Sequence, residues 1–467
     1  MSLVFCGVCP HPPIVVPEVG GEEAAPVKRT QEAMLEIGRR IKKCGAEVLV
    51  MISPHSPVFR DAVAINFDER LKGNLGQFRA PQVSFELKNE LGLAAEIKKE
   101  AGNNGIMTAD INKDLISQYQ ISTELDHGLM VPLYFLQKEG VNIPLVAISM
   151  SLLPVKLLYT FGAGIGRAVR NYGKRVALIA SGDLSHCLTS DAPAGYEPRG
   201  EEFDREIVRL VGKAEVESIM KLDRELIERA GECGFRPIVM MFGALDGYQV
   251  DADVLSYEGP FGVGYMVASL IPGKPDRERE FLNKFTAERE AELTKRRRSE
   301  SYLVQLARKT LEDKVRGKTV QTEFEEIPPE FQKKAGVFVS IKKHGQLRGC
   351  IGTVFPRKKN IPAEVVQNAL SAGLEDPRFY PVQEEELPDL IYSVDVLTEP
   401  EKISSMDELN PAKYGVIVRS GHRTGLLLPD LEGIDTPEEQ VEIAKQKAGI
   451  GPGEPVELER FKVIRYT

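Results

Sequence analysis

The chain of 467 residues lacks the features that mark several large protein classes. No apolar run approaches the roughly 18 residues needed to span a bilayer. The start, "MSLVFCGVCPHPP", has no basic n-region and no cleavable apolar stretch, so it reads as a first strand rather than a signal peptide. There is no excess of positive charge. With a net charge of −9 and a pI of about 5.5, no global field draws the chain to nucleic acid or an anionic membrane. Cysteine is sparse, six residues scattered along a long chain, which does not fit a disulfide framework and suits a cytoplasmic protein with reduced thiols. No C-x-x-x-C-x-x-C and no G-x-S-x-G occurs, and "GPFGVG" lacks the Lys-Ser/Thr end of a P-loop.

Two weak motifs have bland readings. Cys6 and Cys9 form a C-x-x-C inside an apolar strand-like run, where a three-residue offset sends the side chains to opposite faces. Core thiols are expected there rather than a redox or zinc pair. "GAGIGR", from Gly162 to Arg167, falls inside a helical stretch and not after a strand. Small residues for helix packing explain it better than a dinucleotide fingerprint.

What is present is a globular composition, 42% hydrophobic and 28% charged, long enough for two or three domains. Up to residue 271, strand-like runs such as "SLVFCGVC", "EVLVMIS", "PLVAISM" and "RVALIAS" alternate with helical patterns. Helices are predicted from near Thr30 to a stop at Gly45, in an amphipathic stretch near 84–101, over 154–172 and over 200–230. The alternation predicts a three-layer α/β domain around a mostly parallel central sheet. Residues 272–298, ending in Lys295, Arg296, Arg297 and Arg298, read as a charged helical linker. A smaller α+β domain over 299–467 follows, with strands "GVFVSI", "IYSVDVL" and "YGVIV".

Histidine is also scarce, and its placement carries the functional argument. Four of the six histidines fall in the first domain. His11, His55 and His186 each follow a strand run, and His127 opens a helix with Asp126 beside it. Glu258 ends "ADVLSYE". Ligands of open α/β sheets bind outside the carboxyl ends of the strands, so these residues should converge on one cleft. Two neutral imidazoles and a carboxylate form the facial triad of non-haem Fe(II), and zinc takes the same donors. Asp183, three residues before His186, could orient an imidazole from behind.

The pieces "CPHPP", "SPHSP", "LDHG", "ASGDLSH" and "SYEGPFGVGY" resemble the class III extradiol ring-cleavage dioxygenases of the LigB type and the related Memo family. The resemblance implies that His11, His55 and Glu258 bind Fe(II), that His186 is the acid/base for a catechol hydroxyl, and that His127 hydrogen-bonds substrate or dioxygen. Memo relatives instead implicate a cysteine, which corresponds here to Cys233 in "ECGFRPI". The second domain carries "QLRGCIGTVFP", "EDPRFYPV" and "GLLLPDL", which resemble the AMMECR family.

A ligand pocket is expected around Arg348, Gly349, Cys350 and Gly352. Arg348 would supply a fixed charge for an anion, and His344 or His422 is a candidate base beside Cys350. The joined modules resemble the A component of AmmeMemoRadiSam systems, which implies a separate radical SAM protein as partner. The leading expectation is a cytoplasmic Fe(II) oxygenase acting on a small aromatic substrate with dioxygen. Its rivals are a Memo-like metal-binding protein without turnover and a zinc hydrolase using the same pocket. Homo-oligomerisation stays open.

Overall fold

The computed structural model describes residues 2–112, 122–324, 326–431 and 433–467. The chain forms two compact units, Met1–Arg289 and Glu290–Thr467. Among the described residues no helix is long and apolar enough to cross a membrane.

The first unit is built on β1 (Leu3–Cys9), β2 (Val48–Ser53), β3 (Val63–Asn66), β4 (Arg70–Leu75), β5 (Ala80–Lys88), β6 (Thr108–Ile111), β7 (Leu145–Ser149), β8 (Val176–Ser181), β9 (Tyr248–Glu258) and β10 (Tyr265–Pro275). Eight of these make one sheet in the order β6-β3-β7-β2-β8-β1-β10-β9. The central run β7-β2-β8-β1 is parallel, and β10 and β9 extend it in antiparallel fashion. Strands β2, β7 and β8 are buried along their whole length, which is why they read as unbroken apolar runs.

Their side chains divide by parity between two cores. Val48, Val50 and Ile52 join one core, and Leu49 and Met51 the other. Cys6 and Cys9 divide in the same way, and burial pushes both thiols far up, Cys9 to about 12. Helices Leu91–Asn103, Val155–Tyr172 and Phe235–Ala244 contribute to the first core, and Lys28–Cys44 and His127–Lys138 to the second. The helix Lys28–Cys44 ends at Gly45 in the left-handed region, as its sequence predicts. A side chain at Gly162 would strike the carbonyl of Met240, so "GAGIGR" allows two helices to pack closely.

Two expectations change. The stretch near 84–101 is not one helix: Ala80–Lys88 is a strand, alternately buried and exposed, paired with β4 in a separate hairpin. The segment 272–298 is not only a linker either. Strand β10 runs to Pro275, and a helix spans Phe281–Ser299. Phe285 is buried 5.3 Å from the ring of Tyr159, because the start of this helix completes the first core.

The second unit contains β11 (Val337–Lys343), β12 (Gln346–Thr353), β13 (Leu390–Leu397), β14 (Glu401–Ile403), β15 (Gly415–Ser420), β16 (Arg423–Leu427), β17 (Glu457–Phe461) and β18 (Val463–Tyr466). They form two four-stranded sheets, β12-β11-β13-β18 and β14-β17-β15-β16. Helices Tyr302–Val315 and Ile361–Leu374 bury one face of the first sheet, and Pro437–Lys447 packs on the second.

Candidate metal centre

Strands β2, β8 and β1 are adjacent and parallel, so their carboxyl ends open on the same side. His11 leaves β1 there, His55 leaves β2, and Asp183 and His186 leave β8. The two Nε2 atoms of His11 and His55 lie 2.9 Å apart, and Cys233 Sγ lies 3.6 Å from His11 Nε2. Neighbouring ligand atoms on one ion, about 2.1–2.3 Å from it, stand roughly 3.0–3.7 Å apart for bond angles of about 90–110°. These two spacings are compatible with a shared divalent ion. Donor atoms of His11, His55 and Cys233 all fall within 4.8 Å of one another.

Cys233 reaches the cluster through a glycine contact. A side chain on Gly182, just after β8, would collide with the Cα of Gly234, so the two backbones touch there. The Asp183 carbonyl accepts the amides of Cys233 and Gly234 at 3.2 and 2.9 Å, and the Asp183 amide donates to Cys233 Sγ at 3.3 Å. The sulfur is thus fixed before the helix Phe235–Ala244 begins.

Ser181, the last residue of β8, sets the tautomer of His11. Its hydroxyl donates to the carbonyl of Gly128, which leaves Oγ to accept from His11 Nδ1 at 2.9 Å. A protonated Nδ1 turns the Nε2 lone pair toward His55 and Cys233. Ser181 faces β1 in register with Cys9, a pairing that a single strand pattern does not reveal.

Electrostatics keep the cluster ready for a cation. Burial lowers His11 well below the usual imidazole range, and the rings of His55, His127 and His186 push it the same way. Burial also lowers His55, His127 and His186. Neutral imidazoles are the form that ligates metal. Burial pushes the Cys233 thiol well up, with Asp183 and Glu232 adding to it, so a bound cation would be what favours the thiolate. Burial likewise brings Asp183 up to about 7.

Around the donors, His127 stacks on His55 at 4.3 Å between ring centroids and lies edge-on to His11 at 5.4 Å. Phe78, at the tip of the β4–β5 hairpin, meets His127 at 5.5 Å, a contact between segments far apart in the chain. The backbone of Leu184 and Gly231 faces the His186 ring, yet its buried Nδ1 meets no partner with hydrogen-bond geometry among the described residues.

Asp126 sits at the start of the helix that opens with His127, but its carboxylate accepts from Ser53 Oγ at 2.7 Å and from Ser56 Oγ. Since Ser53 Oγ also accepts the His55 amide, Asp126 braces the His55 loop. Asp183 accepts the His11 amide at 2.8 Å, with Oδ2 4.0 Å from His11 Nε2, so it supports His11 rather than His186.

Glu258, expected as the third ligand, is outside this donor group. Its Oε2 accepts the amide and the hydroxyl of Thr30 at 2.8 and 2.7 Å, in the first turn of the helix Lys28–Cys44. There it satisfies a free helix N–H from another part of the chain. Strand β9 does deliver it on the correct side of the sheet, but β10 lies between β9 and β1. Two interstrand spacings amount to about 10 Å.

In the second unit the residues expected around a pocket have structural partners of their own. Arg348 makes a bidentate pair with Glu386 at 3.0 and 2.8 Å, and Lys343 joins the same carboxylate at 3.0 Å, so two cations share one acid. Side chains at Gly349 and Gly352 would strike the Ala372 carbonyl and the Phe338 ring, which makes both glycines packing residues. Cys350 Sγ contacts Ser340 Oγ at 3.2 Å. His344 sits in the tight β11–β12 turn with positive φ and pairs with Asp389 at 3.6 Å, and His422 is exposed in the β15–β16 turn.

A Clostridium acetobutylicum protein is 41% identical over 471 residues, covering 100% of this chain and 99% of that one. A crystal structure of an uncharacterised Pyrococcus horikoshii protein matches 35% of this chain and 88% of its own, with 32% identity and a TM-score of 0.33. One from Escherichia coli matches 57% and 99%, with 17% identity and a TM-score of 0.42. Residues 304–467 match the AMMECR1 family. Residues 6–268 match the catalytic LigB subunit of aromatic ring-opening dioxygenase, and the chain belongs to this metal-dependent LigB family, joined to an AMMECR1 domain.

Proposed function

We propose that the first unit is an Fe(II)-dependent oxidoreductase that binds its ion through His11, His55 and Cys233 and acts on a small aromatic substrate with dioxygen. The observation that carries this reading is the convergence of three donor atoms within 4.8 Å, backed by lowered imidazoles. When bound, the ion would supply Lewis acidity and a redox couple. The protein's own groups do the rest. Ser181 and Asp183 hold His11, and Asp126 with Ser53 holds the His55 loop. His186, kept neutral by burial, can take a substrate proton and return it. His127 and Phe78 offer a ring-lined wall for a planar substrate.

Anaerobically purified protein loaded with Fe(II) should bind iron near one per chain and consume dioxygen with a subset of catechols. His186→Ala should keep the iron and lose the uptake. Uptake that survives His11→Ala or Cys233→Ala would sink the proposal.

A second reading is a metal-binding protein without turnover, favoured by the engagement of Glu258 with Thr30 and its replacement by a thiol. Iron bound without uptake on any catechol would favour it. Activity that needs zinc but no dioxygen would point to hydrolysis. On the two-module architecture alone, we also propose a separate radical SAM protein as partner, testable by co-purification.

A further inference from the structure

A cleft of about 570 Å³ lies in the second unit, between the edge strand β12 and the helix Ile361–Leu374, with Thr424 of β16 beside it. That volume is in the range of small-molecule sites. Of the four residues expected to form a pocket here, Gly352 alone lines it.

The edge of β12 is only partly open. The Cys350 amide donates to Asp376 Oδ2 at 2.9 Å, and its carbonyl accepts from Arg378 at 3.1 Å. Asp376 and Arg378, themselves paired, therefore stand where a neighbouring strand would. In an antiparallel ladder alternate residues turn their backbone groups outward, so Gly352 points the same way as Cys350. Past the capped stretch this leaves room for a small ligand but not for a peptide added along the whole strand.

The charge at the mouth is positive. Arg357, Lys358 and Lys359 are exposed, and none has an ion-pair partner among the described residues. Arg357 and Lys358 line the cleft. Their amides both donate to Glu364 Oε2, at 2.9 and 2.8 Å, and Thr353 Oγ1 donates to Oε1 at 2.6 Å. Glu364 also lines the cleft, but this buried carboxylate is spent in holding the loop, while the cationic side chains stay available. Next to them Phe355 is 45% exposed, with the Arg419 guanidinium 4.9 Å from its ring. Arg419 is itself held by Glu459 at 3.0 Å and reaches Thr424 Oγ1 at 3.4 Å.

A partly exposed ring beside unpaired cations, in a cleft of this volume, matches a ligand that is flat at one end and strongly anionic at the other. We propose that the cleft binds a phosphorylated ligand carrying a planar ring, a mononucleotide in its simplest form. The ring lies against Phe355, and the phosphates meet Arg357, Lys358 and Lys359. This site is separate from the metal centre of the first unit and does not depend on the reading given to it.

Calorimetric titration of the full chain at low ionic strength tests this, with ATP, tripolyphosphate and adenosine as probes. ATP should bind in the cleft, more tightly than either fragment, and more weakly as salt rises. Arg357→Ala with Lys358→Ala should cost about tenfold or more in affinity. Both side chains are exposed, so folding should be spared. Phe355→Ala should weaken ATP and leave tripolyphosphate unchanged. Ser371→Trp, which fills the cleft and removes no charge, should block ATP. His11→Ala should keep it.

No heat with ATP at millimolar concentration would overturn the proposal, as would affinity indifferent to the cleft substitutions. Tripolyphosphate binding as tightly as ATP would overturn the ring contact. Loss of ATP binding in His11→Ala would move the nucleotide to the metal centre and overturn the site.

Discussion

Glu258 and Cys233 compete for the role of third ligand, and the structure predicts opposite consequences for removing each. In Glu258→Ala the amide and hydroxyl of Thr30, a fully buried residue, lose their acceptor. An unsatisfied buried donor costs about 1–3 kcal/mol, and partial relaxation should leave a net loss of roughly 2–4 kcal/mol. For a unit of this size that lowers the melting temperature by roughly 3–7 °C. Metal content should stay at the wild-type level, because the donor group does not include Glu258.

Cys233→Ala should behave in the opposite way. It leaves the Asp183 amide without its sulfur acceptor, a cost of about 1 kcal/mol, while removing a donor atom from the cluster. Metal affinity should fall by at least about 100-fold, beyond what loss of an outer-shell partner costs. Calorimetric unfolding paired with elemental analysis of anaerobically prepared protein measures both quantities on the same samples. The reasoning fails if folded Glu258→Ala protein loses its metal, or if Cys233→Ala protein keeps a full complement.

Three other outcomes are expected. Ser181→Ala removes the hydroxyl that fixes the His11 tautomer and should weaken metal binding about 10–100-fold, read by chelator competition, with the fold intact. Gly162→Val drives a branched side chain into the carbonyl of Met240 and should destabilise the first unit by about 3 kcal/mol or more, seen as loss of soluble yield and a lower melting temperature.

The third concerns acid stability. Burial alone would raise the Glu386 carboxyl, but Arg348, the Gln383 amide and Lys343 outweigh it and hold the group at about 2, against an ordinary 4.5. A depressed carboxylate contributes stability that is complete above its unfolded value and is lost as pH falls through its folded one. The second unit should therefore lose up to roughly 3 kcal/mol between pH 4.5 and 2, and Glu386→Gln should flatten that slope in urea titrations.

The sequence made legible what depends on one segment at a time. Unbroken apolar runs marked β2, β7 and β8 because strands buried on both faces have no polar parity. Histidines after three of the runs marked the cleft because parallel neighbours share an exit side. Strand β5 was hidden in a stretch read as helical, although its alternate burial of Val83, Phe85 and Leu87 has a period of two. Ser181, Phe78 and the pairing of Arg348 with Glu386 were not legible. Each depends on which distant segment arrives opposite.

Glu258 shows where strand-end logic stops. It correctly assigns the residue to the functional side of the sheet, since β9 runs in the same direction as β1. Lateral order then decides whether a side chain can join the cluster, and the sequence does not state that order. Cys233, announced by no strand, arrives because Gly182 and Gly234 allow two backbones to touch. A cleft formed by three adjacent strand ends takes its third donor from whichever segment can approach most closely. Here that segment is a glycine-flanked turn, and the donor it brings is sulfur. On the proposed assignment, the soft ligand is a consequence of backbone packing. Widening the contact with Gly234→Ala should lower metal affinity while every donor residue remains in place.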